Sequence, residues 1–128
     1  KYINHSCRPN VLSTGFGFDI SIDEIHEDEQ LLTDYACLNL ESSFFCKCSS
    51  LHCRKTISSS NLQDLIKQWD KKIRSVFHLL NQQPQPLWDL IPNQEEIQFY
   101  MQNIDKIPSS AQNLTPENYN LGPYQSIR

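Results

Sequence analysis

No apolar run in this chain approaches the about 20 residues that a bilayer-spanning helix needs, and no basic-then-apolar stretch near Lys1 reads as a secretory leader. Clustered positive charge is also missing. Eleven Lys and Arg residues are scattered against fifteen Asp and Glu, for a net charge of -4, which argues against a nonspecific grip on nucleic acid. Basic and aromatic residues interleave on no predicted strand or helix, as single-strand binding would require. Glycine is scarce, at three residues, and Gly15-Phe16-Gly17 lacks the third glycine and the following helix of a phosphate-binding loop. No internal repeat is present.

What remains is a chain of 128 residues with 38% hydrophobic content and a mean hydropathy of -0.53, enough for one domain with a modest core. Five cysteines, an odd number with three of them in the eight residues from Cys46 to Cys53, fit a metal site better than a disulfide framework. A reducing intracellular compartment, cytoplasm or nucleus, follows from that reading. The run Asp23-Glu24-Ile25-His26-Glu27-Asp28-Glu29 is the strongest charge block; it reads as a solvated connection between strands, to which a basic substrate tail can be drawn.

Strict alternation over residues 15–22 places Phe16, Phe18, Ile20 and Ile22 on one side and predicts a half-buried strand. Residues 31–35 form a second short β-prone run, and Phe44-Phe45 leads into the cysteine loop as a hydrophobic anchor beneath a metal. Ser60 and Gln63 have the spacing of a capping box. The helix they open carries Leu62, Leu65, Ile66, Trp69, Ile73, Val76, Phe77 and Leu80 on one face and stops before Pro84. That face needs a cover, either the rest of this chain or another chain, with Trp69 as anchor. A second helix is expected after Pro92, capped by Asn93 and carrying Ile97, Tyr100, Met101 and Ile104. Beyond Ile107 the polar composition predicts a partly disordered tail, with a helical turn starting at Thr115-Pro116.

Cys46-Lys47-Cys48 followed by Cys53 allows one tight loop to offer three of the four thiolates of a tetrahedral zinc site. The fourth ligand must come from elsewhere, and His52, Cys37 and Cys7 are the candidates. Cys37 taken alone reads as a small apolar core residue.

Taken in order, Asn4-His5-Ser6-Cys7-Arg8-Pro9-Asn10, then Thr33-Asp34-Tyr35, then Cys46-x-Cys48-x4-Cys53 resemble the C-terminal half of a SET-domain protein-lysine methyltransferase with its post-SET zinc loop. The resemblance covers residues 1–57. It implies an α+β fold: a partial β-rich SET core of the β-clip, knot-like kind over residues 1–43, a zinc-bound post-SET loop over 44–57, and a helical C-terminal extension over 58–128. It implies S-adenosylmethionine and zinc as cofactors, with Cys7 joining Cys46, Cys48 and Cys53 on the metal. Asn4 and His5 match positions that contact S-adenosylmethionine, and Tyr35 matches the tyrosine whose hydroxyl orients the substrate amine. Family threading brings Asn4, His5 and Tyr35 around one site, with Asp34 ordering the backbone there. The implied partner is a lysine-bearing protein, histone-like in kind, with no direct nucleic-acid or membrane contact.

The chain departs from the family in three places. Lys1 stands where an Arg is usual, and the expectation is that the glycine-containing cofactor loop of the N-terminal half is missing from the chain. Thr33 replaces an aromatic that helps set how many methyl groups are added. Arg54-Lys55 replaces a usual Arg-Gly. The alternative reading is a non-catalytic, zinc-stabilised interaction module. A Cys-His nucleophile at Cys7 and His5 is disfavoured, since a thiolate on zinc cannot attack and no third orienting group is evident.

Overall fold

In the computed structural model, which describes residues 3–115, the chain forms β1 (Asn4–His5), β2 (Val11–Ser13), β3 (Asp19–Ser21), β4 (Leu32–Thr33), β5 (Phe44–Phe45), β6 (Thr56–Ile57), α1 (Gln63–Phe77) and α2 (Gln94–Gln102). The strands make three two-stranded ladders: β1 parallel to β4, β2 antiparallel to β3, and β5 antiparallel to β6. This is a mixed α+β arrangement of small sheets and few helices. No helix among the described residues is long and apolar enough to cross a membrane.

Two-stranded ladders are marginal alone, so side chains must stitch them together. Asn10 is one such stitch. Its buried Nδ2 donates to the Gln30 carbonyl at 2.9 Å, and its Oδ1 accepts from the Leu32 N–H at 2.8 Å. Its own N–H donates to the Leu32 carbonyl while its carbonyl accepts from Ile22 N–H, so a single residue ties the β2–β3 hairpin to β4.

The strand expected over residues 15–22 is a turn followed by β3. Thr14 causes the difference: its N–H and its hydroxyl both donate to the Phe18 carbonyl, at 2.9 and 2.8 Å, closing the hairpin over residues 15–17. Gly17 takes a φ of 81°, open to glycine at low cost. Gly15 answers a different need, since a Cβ there would lie 2.9 Å from the Ser109 carbonyl oxygen. The apolar alternation still points one way: Ile20 is buried, and Phe16, Phe18 and Ile22 pack against the core. The expected 31–35 run is likewise cut short, with β4 ending at Thr33 and a 3₁₀ turn, Tyr35–Leu38, following.

Helix α1 buries Ile66, Trp69, Ile73 and Phe77 on one face, preceded by buried Leu62. Its cover is the chain itself, through Leu12, Ile20, Ala36 and Ile57 of the strand region and Ile97 and Met101 of α2. The capping box is not formed. Leu62 holds the N-cap position with no side-chain bond, because its side chain is needed in the core; the Ser60 hydroxyl pairs with Ser58 Oγ at 3.0 Å instead. Asn93 does occupy the N-cap of α2, but in the left-handed region and without a side-chain capping bond. Ile104 lies beyond α2, in a 3₁₀ turn.

Residues 108–114, the first part of the stretch whose polar composition predicts a partly disordered tail, are packed. Asp70 on α1 accepts both the N–H and the hydroxyl of Ser110, at 2.8 and 2.7 Å, and Asn113 Nδ2 donates to the Thr14 carbonyl at 2.7 Å. These polar side chains hold the segment together with buried Ala111 and half-buried Leu114, which pack against the core. The helical turn expected from Thr115-Pro116 lies mostly outside the described residues.

Candidate metal centre

β1 leads directly into Cys7, and β5 leads directly into Cys46, so two ladders deliver their ends to one point. One ligand atom each from His5, Cys7, Cys46 and Cys48 lie within 4.8 Å of one another, a group able to hold a metal ion. The Sγ atoms of Cys7 and Cys46 are 3.8 Å apart. A tetrahedral ion with sulfur bonds of about 2.3 Å sets its ligands about 3.8 Å apart, so this pair already has the required spacing.

Cys53 is not one of those four but sits beside them, its Sγ 3.9 Å from the Cys46 carbonyl. Exposed His52 and half-buried Cys37 lie outside the group. Phe44 supports the site from below, with its ring edge-on to His5 at 5.8 Å. Phe45, expected to share that role, is 83% exposed; strand alternation turns it outward once Phe44 faces in.

Backbone geometry favours thiolates here. Cys7 Sγ accepts from the Arg54 N–H, Cys46 Sγ from the Cys48 N–H, Cys48 Sγ from the Cys7 N–H and Cys53 Sγ from the Lys55 N–H, each at 3.4 Å. Burial pushes the Cys46 thiol up to about 12 and raises Cys7. Burial also acts upward on Cys48, but the N–H groups of Cys7 and Ser50 and its two thiol neighbours outweigh it and bring it down to about 6.

Behind the sulfurs lies a charged node that the sequence alone did not reveal. Asp34 is buried, and its carboxylate accepts from Arg54 Nη1 and Nη2 at 2.7 and 2.6 Å, from Trp69 Nε1 at 3.3 Å and from the Ala36 N–H at 3.1 Å. Burial alone would lower the Arg54 guanidinium, but Asp34 holds it above its ordinary value. Arg54 thus grips the β4 end with its side chain and Cys7 with its backbone. Its place directly after Cys53 was the available signal, though nothing in the sequence paired it with Asp34 or Trp69.

The residues expected at the cofactor and substrate sites are neighbours. The β1–β4 register sets Asn4 opposite Leu32 and His5 opposite Thr33, and Tyr35 follows at the end of β4. Tyr35 Oη donates to the Ile3 carbonyl at 2.8 Å, and its N–H donates to His5 Nδ1 at 3.1 Å. His5 is lowered from its ordinary value, chiefly by burial, with Asp34 opposing and Arg54 adding to the effect. Asn4 is exposed, and Thr33 Oγ1 is buried with no hydrogen-bond partner. Two clefts are present elsewhere, one of about 340 Å³ beside Ser13, Asp19 and Cys37 and one of about 670 Å³ beside Ile91 and Glu95. Neither borders Asn4, His5 or Tyr35.

No protein-family model, no curated protein and no solved structure matches this chain.

Proposed function

We propose that this chain supplies the zinc-stapled, tyrosine-bearing portion of a SET-type protein-lysine N-methyltransferase. The observation that carries the reading is a convergence. One parallel pairing, β1 with β4, sets the Tyr35 hydroxyl on the Ile3 carbonyl and delivers Cys7 to the loop of Cys46 and Cys48.

Zinc fits the donor set. Sulfur is its preferred structural ligand, and Cys7, Cys46, Cys48 and Cys53 each already accept a backbone N–H, the second-sphere support that thiolates need. Arg54, bonded to Cys7 through its backbone, adds a positive charge beside the anionic cluster.

S-adenosylmethionine, when bound, would supply the methyl group. Tyr35 has its hydroxyl proton directed to the Ile3 carbonyl, which leaves the oxygen lone pairs to orient an incoming lysine amine. Thr33 Oγ1, buried and unpartnered, offers a polar contact where an aromatic ring stands in the family, and so bears on the number of methyl groups accepted.

The test combines calorimetric titration of S-adenosylmethionine with a radiolabelled methyl-transfer assay on lysine-rich, histone-like protein. Tyr35→Phe is expected to lower turnover by about 100-fold or more while S-adenosylmethionine affinity is kept. A variant with normal turnover removes Tyr35 from this role. A second reading, a zinc-stabilised interaction module without catalysis, draws support from Phe45 and Leu51, which the metal loop exposes at 83% and 99%. Protein that binds zinc but shows neither S-adenosylmethionine binding nor transfer, alone and within a longer protein that carries a glycine-containing cofactor loop, would establish the module in place of the enzyme.

A further inference from the structure

We infer that His5 is a positioning residue that joins the metal centre to Tyr35 by hydrogen bonds from both ring nitrogens, and is not itself a metal ligand. The inference rests on the zinc reading above and goes beyond it, because proximity alone would make His5, and not Cys53, the fourth ligand.

The ring's protonation pattern decides between the two. The Tyr35 backbone N–H points at His5 Nδ1 at 3.1 Å, and a backbone N–H can only donate. Nδ1 is therefore an acceptor and carries no proton. The carboxylate nearest to it, Asp34 Oδ1, stands 3.9 Å away, too far to hold a proton on Nδ1 by a hydrogen bond. A neutral imidazole with a bare Nδ1 has its proton on Nε2. That nitrogen lies 3.5 Å from Cys7 Sγ, so Nε2–H donates to the sulfur. Ligation through Nε2 would require the proton to move to Nδ1, where it would face the Tyr35 N–H and break that bond, while Cys53 would have to swing in a thiolate already bonded to the Lys55 N–H.

His5 is well fixed for this work. Its side chain is 7% exposed and lies between the rings of Tyr35 and Phe44, at 5.4 and 5.8 Å. The Cys7 sulfur thus accepts from two sides, the Arg54 N–H at 3.4 Å and the His5 ring at 3.5 Å. A metal that makes Cys7 a permanent thiolate strengthens the His5 bond to it, which steadies the ring and through Nδ1 the backbone of Tyr35.

The two bonds can be cut separately in the full chain. Asn at position 5 places an oxygen near the Nδ1 position and removes the donor to Cys7, whereas Gln places an amide N–H near the Nε2 position and removes the acceptor for Tyr35. His5→Asn is expected to weaken zinc by about 10- to 100-fold at unchanged stoichiometry and to shift the thiolate-to-metal absorption of the cobalt-loaded protein. His5→Gln is expected to retain zinc and that absorption while the Tyr35 amide resonance moves. Nitrogen-15 NMR of the zinc-loaded wild type should show a protonated Nε2 and an unprotonated Nδ1. A metal-bound Nε2, or a cobalt spectrum of three sulfurs and one nitrogen, overturns the assignment while leaving the zinc site standing. Protein that takes up no zinc at all brings down the metal reading and this inference together.

Discussion

Cys37 stands apart from the metal-site thiols, on the 3₁₀ turn after Tyr35, and its environment makes a definite claim about pH. Burial pushes its thiol from the ordinary 9.0 up to about 11, and the Asp34 and Asp19 carboxylates act in the same direction. In the unfolded chain the thiol ionises near 9, whereas the fold holds it neutral. The stability from this group is thus fully present below pH 9 and is lost as pH rises toward 11. The loss amounts to about 3 kcal/mol at most, from a shift of about two units. Urea denaturation of zinc-loaded wild type and Cys37→Ala at pH 8 and 10.5 should show the wild type losing more stability between the two, and equal losses would contradict the buried neutral thiol. At this scale the sequence was partly legible. That a lone cysteine would behave as a core residue followed from its type, and the crowding of Cys46, Cys48 and Cys53 pointed to a metal. The Asp34 node was not legible, since Arg54 and Trp69 lie 20 and 35 residues from it and only tertiary packing brings them together. Nor could spacing reveal that Lys55 takes a φ of 65°, the left-handed conformation that suits the glycine found there in the resembled family.

At the scale of elements, periodicity proved a better guide to faces than to ends. The apolar face read for α1 is the face that the helix buries, since a 3.6-residue repeat depends only on local geometry. Its start was misplaced because capping competes with packing, and Leu62, 1% exposed, stabilises more in the core than an exposed serine could at the cap. The hairpin shows the same limit: alternation sorted Phe16, Phe18 and Ile20 correctly but could not show that the Thr14 hydroxyl would close a turn among them. Trp69 carries the helix docking, because it fills the core and donates to Asp34 as well. Trp69→Ala should therefore cost about 3–5 kcal/mol in urea denaturation, the range for a large aromatic removed from a core. Lys71→Ala, on the exposed face two residues away, should stay within about 0.5 kcal/mol. If the two variants cost the same, the helix is not held by its apolar face.

At the scale of the whole molecule, the metal loop and the helices are anchored by different forces, and metal removal should separate them. The root of the loop is tied without metal: the Ser59 hydroxyl donates to the Ala36 carbonyl at 2.8 Å and accepts from the Leu40 N–H at 2.7 Å. Between those roots, residues 44–57 make one two-stranded ladder and depend on the sulfur cluster and on Arg54–Asp34 to stay against β1. The helices share one apolar cluster with the loop through Cys46 and Ile57, but that cluster also holds Leu12, Ile20, Ile97 and Met101, which lie outside the loop and do not depend on metal. Zinc bound to the native state alone adds about 3 kcal/mol when free metal exceeds its Kd about a hundredfold, so chelation should lower the melting temperature measurably. Hydrogen exchange should then show where the loss falls. Protection is expected to drop first across residues 44–57, including the Cys46 N–H bond to the Lys55 carbonyl, and to persist through α1 and α2. A uniform drop would mean that the metal supports the core itself, and that the Asp34 node transmits its loss through Trp69 to the helices.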